Sequence, residues 1–332
     1  MYTRLGEATL KTGEQIELGV VLGPDAEWAE RINALLSHKP SEYRYHIGEA
    51  LLRPLDELET RFYVGHLDGR PITHVMIVGA RGAGILGHVY TVPEWRRRGA
   101  YQALMEAQMR DTAAAGYRIL TLGTGYDTPP YWIYYRFGFR SIAPGSGAMR
   151  WLATPDAEEQ YLAPAPVIVR ELRWSDWGAL NVTAMHAPPP DDELPRSLVL
   201  QLKGQGNAEG SFAALRQRME RRPAPPPGIQ ARVLVSATGA VPGWAILAPD
   251  PRWFGDVWLL DLYALPAFWD RAGELVAGFP WPDAPVAAYS TNLAGPRARL
   301  LQSLGFVHDG VLPGWLRLGD TRRDVTVWVR SG

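Results

Sequence analysis

The residues best suited to chemistry lie in one stretch, Gly87-His88-Val89-Tyr90-Thr91-Val92-Pro93-Glu94-Trp95-Arg96-Arg97-Arg98-Gly99-Ala100-Tyr101-Gln102. A strand-like run stops at a proline, a basic turn follows, and an apolar-periodic helix begins just past a glycine. That order builds a place for an anion, because the first N–H groups of a helix have no internal partner and lie at the positive end of its dipole. Glycine at 99 lets a phosphate approach the backbone. Arg96, Arg97 and Arg98 add charge. No Gly-Lys-Ser/Thr loop and no dinucleotide-type Gly-x-Gly-x-x-Gly stands between this strand and this helix, which disfavours nucleoside triphosphates and NAD. For a general base the stretch offers His88 and Glu94, with His74 and Asp127 as rivals and none distinguished by spacing.

Size and composition set the frame for that turn. The chain has 332 residues, too many for one ordinary core, so two domains are expected. Its net charge of −1, with 46% hydrophobic and 21% charged residues, is that of an ordinary globular protein and gives no sign of nucleic-acid or membrane-surface binding. No apolar run approaches the ~20 residues that span a bilayer. The start, Met1-Tyr2-Thr3-Arg4, lacks the basic and apolar regions of a signal peptide, so a cytoplasmic location is expected. Cysteine is absent, which excludes disulfides, thiolate metal sites and cysteine nucleophiles. The seven histidines show no ligand spacing, so no metal is expected.

The elements around the turn read in order. Gln15 to Leu22, Arg61 to Leu67 and Pro71 to Val78 are expected as strands, the last two joined at Asp68-Gly69, with a helix over Pro24 to Ser37. A strand over Gly84 to Val92 leads through the turn into a helix from about Ala100 to Ala115, capped by Gly116. Arg118 to Gly123 is expected as strand, Tyr131 to Phe137 as a short helix, and Phe139 to Trp151 as strand. Ala153 to Pro166, polar and rich in Pro and Ala, reads as a linker. Beyond it the order recurs: strand Val167 to Leu172, helix Asp176 to about His186, and strands near Ala231 to Ser236 and Gly243 to Leu247. Pro188 to Pro195 and Arg222 to Pro227 are expected as loops. Tyr135-Arg136-Phe137-Gly138-Phe139 matches Gln302-Ser303-Leu304-Gly305-Phe306, and Val92-Pro93 matches Leu265-Pro266, which indicates an internal duplication.

With these residues in view the chain resembles the GNAT superfamily of acyl-CoA N-acyltransferases. The signature of that family is a strand, often a proline, then Arg/Gln-x-x-Gly-x-Gly/Ala opening a helix. Arg96 to Tyr101 supplies the arginine and the first glycine, and departs at the last position, where Tyr101 stands. The second mark of the family, a Tyr four residues before Gly-Phe, is present as Tyr134 with Gly138-Phe139.

The resemblance implies an α/β (α+β) fold of two tandem domains, each a mixed, mostly antiparallel central sheet flanked by helices. Their bounds would be 1–155 and 167–332, with 156–166 as linker. It implies acetyl-CoA as donor and direct transfer to the amine of a small acceptor. The backbone of Val89, Tyr90 and Thr91 would then pair with the pantetheine arm, while Arg97, Arg98, Gly99, Ala100, Tyr101 and Gln102 hold the pyrophosphate. Tyr134 would protonate the leaving thiolate. A chain without cysteine suits a transfer that needs positioning and a polarised carbonyl rather than a covalent enzyme nucleophile.

The second copy reads as degenerate. Aligning Pro266 with Pro93 puts Ala272 at the place of Gly99 and Phe268-Trp269-Asp270-Arg271 against the arginine turn, and Leu301 falls where Tyr134 stands. A structural second domain that shapes the acceptor pocket is therefore expected. Two other readings stay open. A non-catalytic acyl-CoA sensor draws on Tyr101 and the unnamed base. An aminoacyl-tRNA-dependent ligase draws on the duplication, but the Arg-rich turn and near-zero net charge speak against it.

Overall fold

A computed structural model describes residues 1–188, 192–221, 226–253, 255–318 and 320–332. Close contacts divide the chain into two compact units, one of residues 1–160 with 173–179, the other of residues 161–172 with 180–332. Among the described residues no helix is long and apolar enough to cross a membrane.

The first unit runs β1 (Tyr2–Thr9), β2 (Gln15–Leu22), α1 (Ala26–Leu35), α2 (Ser41–Leu52), β3 (Glu59–Leu67), β4 (Arg70–Ala80), β5 (Ala83–Thr91), α3 (Ala100–Ala114), β6 (Ile119–Gly123), α4 (Pro129–Arg136), β7 (Arg140–Ser141) and β8 (Ala148–Leu152). Its eight-stranded sheet has the order β1-β2-β3-β4-β5-β6-β8-β7. Only β5 and β6 pair in parallel; the other neighbours are antiparallel. Helix α3 packs on β2, β3 and β4 and sends Leu104 and Met105 into a core with Leu18, Tyr63, Val75, Ile77, Leu120 and Leu122. Full burial of each of those two side chains is worth about 1.5–3 kcal/mol. With α1 also against β4, that strand is buried along nearly its whole length rather than in alternation.

The second unit contains α5 (Ala157–Leu162) in part, β9 (Val167–Glu171), α6 (Trp177–Met185) in part, a small pair β10 (Arg196–Ser197) and β11 (Leu202–Lys203), and α7 (Glu209–Arg221). Then follow β12 (Gln230–Ser236), β13 (Gly243–Pro249), β14 (Trp258–Ala264), α8 (Ala272–Val276), β15 (Val286–Ser290), α9 (Pro296–Ser303), β16 (Val307–Leu318) and β17 (Thr321–Arg330). The order β9-β12-β13-β14-β15-β17-β16 repeats that of β2 through β7 in the first unit, again with one parallel pair, β14 with β15.

Several expectations need correction. The segment 156–166, read as a linker, carries α5, whose Tyr161 is fully buried and donates its hydroxyl to Gly239 O at 2.9 Å. Phe139 to Trp151 is not one strand, because the turn around Pro144-Gly145 and Gly147 breaks it; a side chain at Gly147 would overlap the Thr124 carbonyl. Helix α1 starts later than Pro24, at the Asp25 cap, whose carboxylate accepts from Trp28 N at 3.1 Å. In the first unit the half-exposed β1 and the helix α2 were unforeseen; in the second, β10, β11, α7 and the elements from β14 onward were not read from the sequence. The proline-rich stretches 188–195 and 222–227 fall partly outside the described residues.

Candidate functional site

The site grows from an irregularity in β5. Against β4, His74 pairs with Tyr90 and Met76 with Gly87, so His88 and Val89 together face Val75. His88 takes φ +53 to fit this bulge. On the other edge β5 pairs with β6 only from Ala83 to Ile85, and among the described residues no further strand pairing is seen on that side. The sheet splits there. The open edge carries the backbone of Val89, Tyr90 and Thr91, and the Thr73 and Thr91 hydroxyls, 2.8 Å apart, tie its end to β4. The second unit differs at this point: β14 pairs with β13 in unbroken register, and Asp261, on β14, accepts from Ser197 Oγ and from the N–H groups of Leu198 and Val199.

Past Thr91 the chain makes a short 3-10 turn, Pro93–Trp95, then reverses through Arg97 at φ +63 and Gly99 at φ +92 into α3. Gly99 caps the helix without a side-chain bond, and the first internal bond is Ala103 N to Gly99 O at 3.1 Å. The N–H groups of Ala100, Tyr101 and Gln102 therefore lie ahead of the helical ladder as open donors. A Cβ on Gly99 would meet Lys11 Cγ only at 3.9 Å, so its left-handed backbone, more than crowding, calls for glycine.

A cleft of about 540 Å³ opens onto this helix start. Of the residues singled out by sequence, Thr91, Arg97, Gly99, Ala100, Tyr101 and Gln102 line it. Val89, Tyr90, Arg98 and Tyr134 do not. Arg98 is turned elsewhere: its Nη1 is 2.8 Å from Glu14 Oε1 and its guanidinium lies 4.8 Å over the Trp95 ring. Thr12 and the local backbone, with Arg98 behind them, hold the Glu14 carboxyl below its ordinary value. Lys11, Trp95, Arg96, Glu106, Ile133, Arg136 and Phe137 complete the lining. Ile133 and Arg136 on α4 and Phe137 at its C-cap sit at i, i+3 and i+4, a helical face that periodicity could have revealed. Lys11, on the β1–β2 hairpin, left no local signal.

Tyr134 belongs to the end of α4. Phe139 N bonds Tyr134 O at 3.1 Å and Gly138 N bonds Tyr135 O at 3.2 Å, with Gly138 at φ +92. This is a Schellman motif, which brings Tyr134 and the residue after the left-handed glycine together; their ring centroids are 6.0 Å apart. Leu301, Gly305 and Phe306 end α9 the same way. The spacing is thus a helix terminator in both units, and what distinguishes the first is the phenol. Tyr134 is buried, and its neighbour Tyr101 has a buried hydroxyl without a hydrogen bond of normal geometry. Burial, then Tyr134, raises the Tyr101 phenol well above its ordinary value.

The candidate bases separate by exposure. His74 is fully buried, with Nδ1 3.0 Å from His88 O, and burial lowers it to about 4. His88, edge-on to Tyr43 at 4.3 Å, falls well below its ordinary value through burial, with Lys39 and neighbouring histidines adding to it. Both stay neutral at pH 7 and are poorly matched to taking up a proton. Glu94 and Asp127 are exposed, Asp127 accepting from Trp132 Nε1 at 2.8 Å. In the second unit Ala272 is buried in right-handed backbone, α8 is only five residues long, and Arg271 is paired with Glu274.

Residues 25–132 match the acetyltransferase (GNAT) domain family. No curated protein sequence matches the chain. Among solved structures, the GNAT domain of the S. lividans protein PAT aligns at 14% identity and a TM-score of 0.34, covering 44% of this chain and 96% of that one. A putative phosphinothricin N-acetyltransferase aligns at 14% and 0.36, covering 50% and 98%. The E. coli GNAT-family N-acetyltransferase YhbS, solved in complex with CoA, aligns at 16% and 0.33, covering 42% and 83%.

Proposed function

We propose that this chain, whose residues 25–132 match a GNAT acetyltransferase domain family, transfers an acetyl group from acetyl-CoA to the amine of a small acceptor, using the first unit alone. The observation that carries this reading is the start of α3, which has no side-chain cap, its open N–H groups facing a cleft lined by Lys11, Arg96, Arg97 and Arg136 against the carboxylate of Glu106. Such a surface suits a diphosphate, which needs oriented donors and excess positive charge. The unpaired edge of β5 next to it suits an amide-bearing arm such as pantetheine, because backbone N–H and C=O groups there lack a strand partner.

Acetyl-CoA supplies the activated carbonyl. The acceptor nitrogen forms a bond to that carbon as the C–S bond breaks; the amine loses a proton and the departing sulfur gains one. Tyr134 is the proposed proton donor to sulfur, held by the Schellman turn and by Phe139. The protein's other contribution is orientation: the turn anchors the phosphate end so that the thioester lies along β5. In the second unit the right-handed, buried Ala272 and the Arg271–Glu274 pair favour a structural role.

The test is acceptor-dependent release of CoA thiol across a panel of small amines, in a cytoplasm-like buffer without added metal. Saturable release that is lost in Tyr134→Phe supports the reading; full turnover in that variant removes Tyr134 from the chemistry. One observation favours a non-catalytic acyl-CoA sensor instead, namely Tyr101 at the cleft where the family carries a small residue. Tight CoA binding without turnover on any amine would select it.

A further inference from the structure

We propose that Lys11, from the β1–β2 hairpin, is a ligand of the donor's diphosphate and takes the part that the sequence motif assigns to Arg98. The inference rests on the acyl-CoA reading above and deepens it.

The hairpin tip is clamped to the turn by two bonds. Lys11 N donates to Arg98 O at 3.0 Å, and Arg98 Nη1 reaches back to Glu14 Oε1 at 2.8 Å. With its guanidinium also over Trp95, Arg98 spends its donors on holding the hairpin, and it does not line the cleft. Arg96 is engaged as well, its Nε donating to Thr91 O at 2.9 Å. The same clamp carries the Lys11 side chain across Gly99, with Cγ 3.9 Å from where a Cβ on that glycine would stand, and into the cleft beside the open N–H groups of α3. Among the described residues Lys11 makes no ion pair. An ammonium on a flexible four-carbon stem can follow a phosphate oxygen without the fixed fork of a guanidinium. Because Lys11 crosses Gly99, the phosphates it meets are those seated on the helix start.

The experiment titrates the full chain with CoA, dephospho-CoA and pantetheine, for wild type, Lys11→Met and Lys11→Arg. Loss of one charge-assisted contact is expected to weaken CoA and dephospho-CoA alike by about tenfold. Pantetheine, which lacks phosphates, should bind the wild type and Lys11→Met within about twofold of each other, and Lys11→Arg should recover most of the loss. Lys11 is exposed, so the variants should fold, which circular dichroism checks. Unchanged CoA affinity in Lys11→Met overturns the proposal, as does a loss seen with CoA but not with dephospho-CoA, which would move the contact to the 3′-phosphate. Wild-type protein that binds neither CoA nor dephospho-CoA would overturn the acyl-CoA reading itself, and the Lys11 assignment with it.

Discussion

Gly99 and Gly116 flank α3 and both adopt left-handed backbone, at φ +92 and +80. Alanine at either position meets almost nothing: 3.9 Å to Lys11 Cγ at Gly99 and no atom within 4 Å at Gly116. The cost of each substitution is therefore backbone strain, about 1–2 kcal/mol for an L-residue in that region. Reduced freedom of the unfolded chain returns about 0.4–1 kcal/mol. The net loss, between about 0 and 1.6 kcal/mol, lowers the thermal midpoint by at most about 6 °C for units of this size. On stability the two variants should look alike.

On binding they should part. At Gly99 the chain can escape the strain by leaving the left-handed conformation, which turns the N–H groups of residues 100–102 away from the cleft. Binding must then restore the turn at about 1–2 kcal/mol, so CoA affinity should fall about 5- to 30-fold in Gly99→Ala. Gly116 lies at the far end of a helix of fifteen residues, about 22 Å away, and Gly116→Ala should bind CoA as the wild type does. Calorimetric titration with CoA, paired with thermal unfolding, measures both quantities. Equal weakening of CoA by the two variants, or Gly99→Ala binding within twofold of wild type despite a lowered midpoint, would refute the assignment of this turn to the phosphates.

Tyr134→Phe should cut acceptor-dependent thiol release by about a hundredfold or more while leaving the thermal midpoint nearly unchanged, since the phenyl ring keeps its contact with Phe139. Titration should fill one CoA site per chain; a second, abolished by a substitution near Ala272, would overturn the structural role given to the second unit. His46 and His74, lowered by burial to about 3 and about 4, and His88, lowered well below its ordinary value, resist protonation in the folded state. The unfolded chain takes up those protons first, as pH drops below about 6.5. Stability should therefore be full above that pH and decline toward pH 4, by up to about 1.4 kcal/mol per pH unit for each histidine. Urea midpoints that stay flat between pH 7 and pH 5 would contradict this.

Much of the fold was legible because its elements carry local signals. Alternation marks β2, with burial on the same side at Ile16 and Leu18, and Gly116 stops α3 in left-handed backbone. Where such signals weaken, elements were missed or merged. β1 is polar and has no buried residue, so no apolar alternation announced it. α5 hides in a Pro/Ala-rich stretch and is held by Tyr161, whose partner lies 78 positions away. In the site, the glycine and the helix start were readable because each has a conformational reason close in sequence. Arg98 was not: its pairing with Glu14 spans 84 positions and exists only once β1 and β2 lie beside the turn.

The amino-acid order alone determined the strand, proline, basic turn, glycine and helix, and with them a helix start with open N–H groups, because those are preferences of neighbouring residues. It also carried the matched spacing of Tyr134 to Gly138-Phe139 and Leu301 to Gly305-Phe306, which the structure shows to be a helix terminator in each unit. Tertiary structure decided which cations face the cleft, that Lys11 enters it while Arg98 leaves, and that β5 bulges at His88 and parts from β6. It also decided that two imidazoles beside the bulge are too deeply buried to serve as ready bases. Those outcomes depend on desolvation and on contacts between distant segments, which are set by packing and have no counterpart in local spacing.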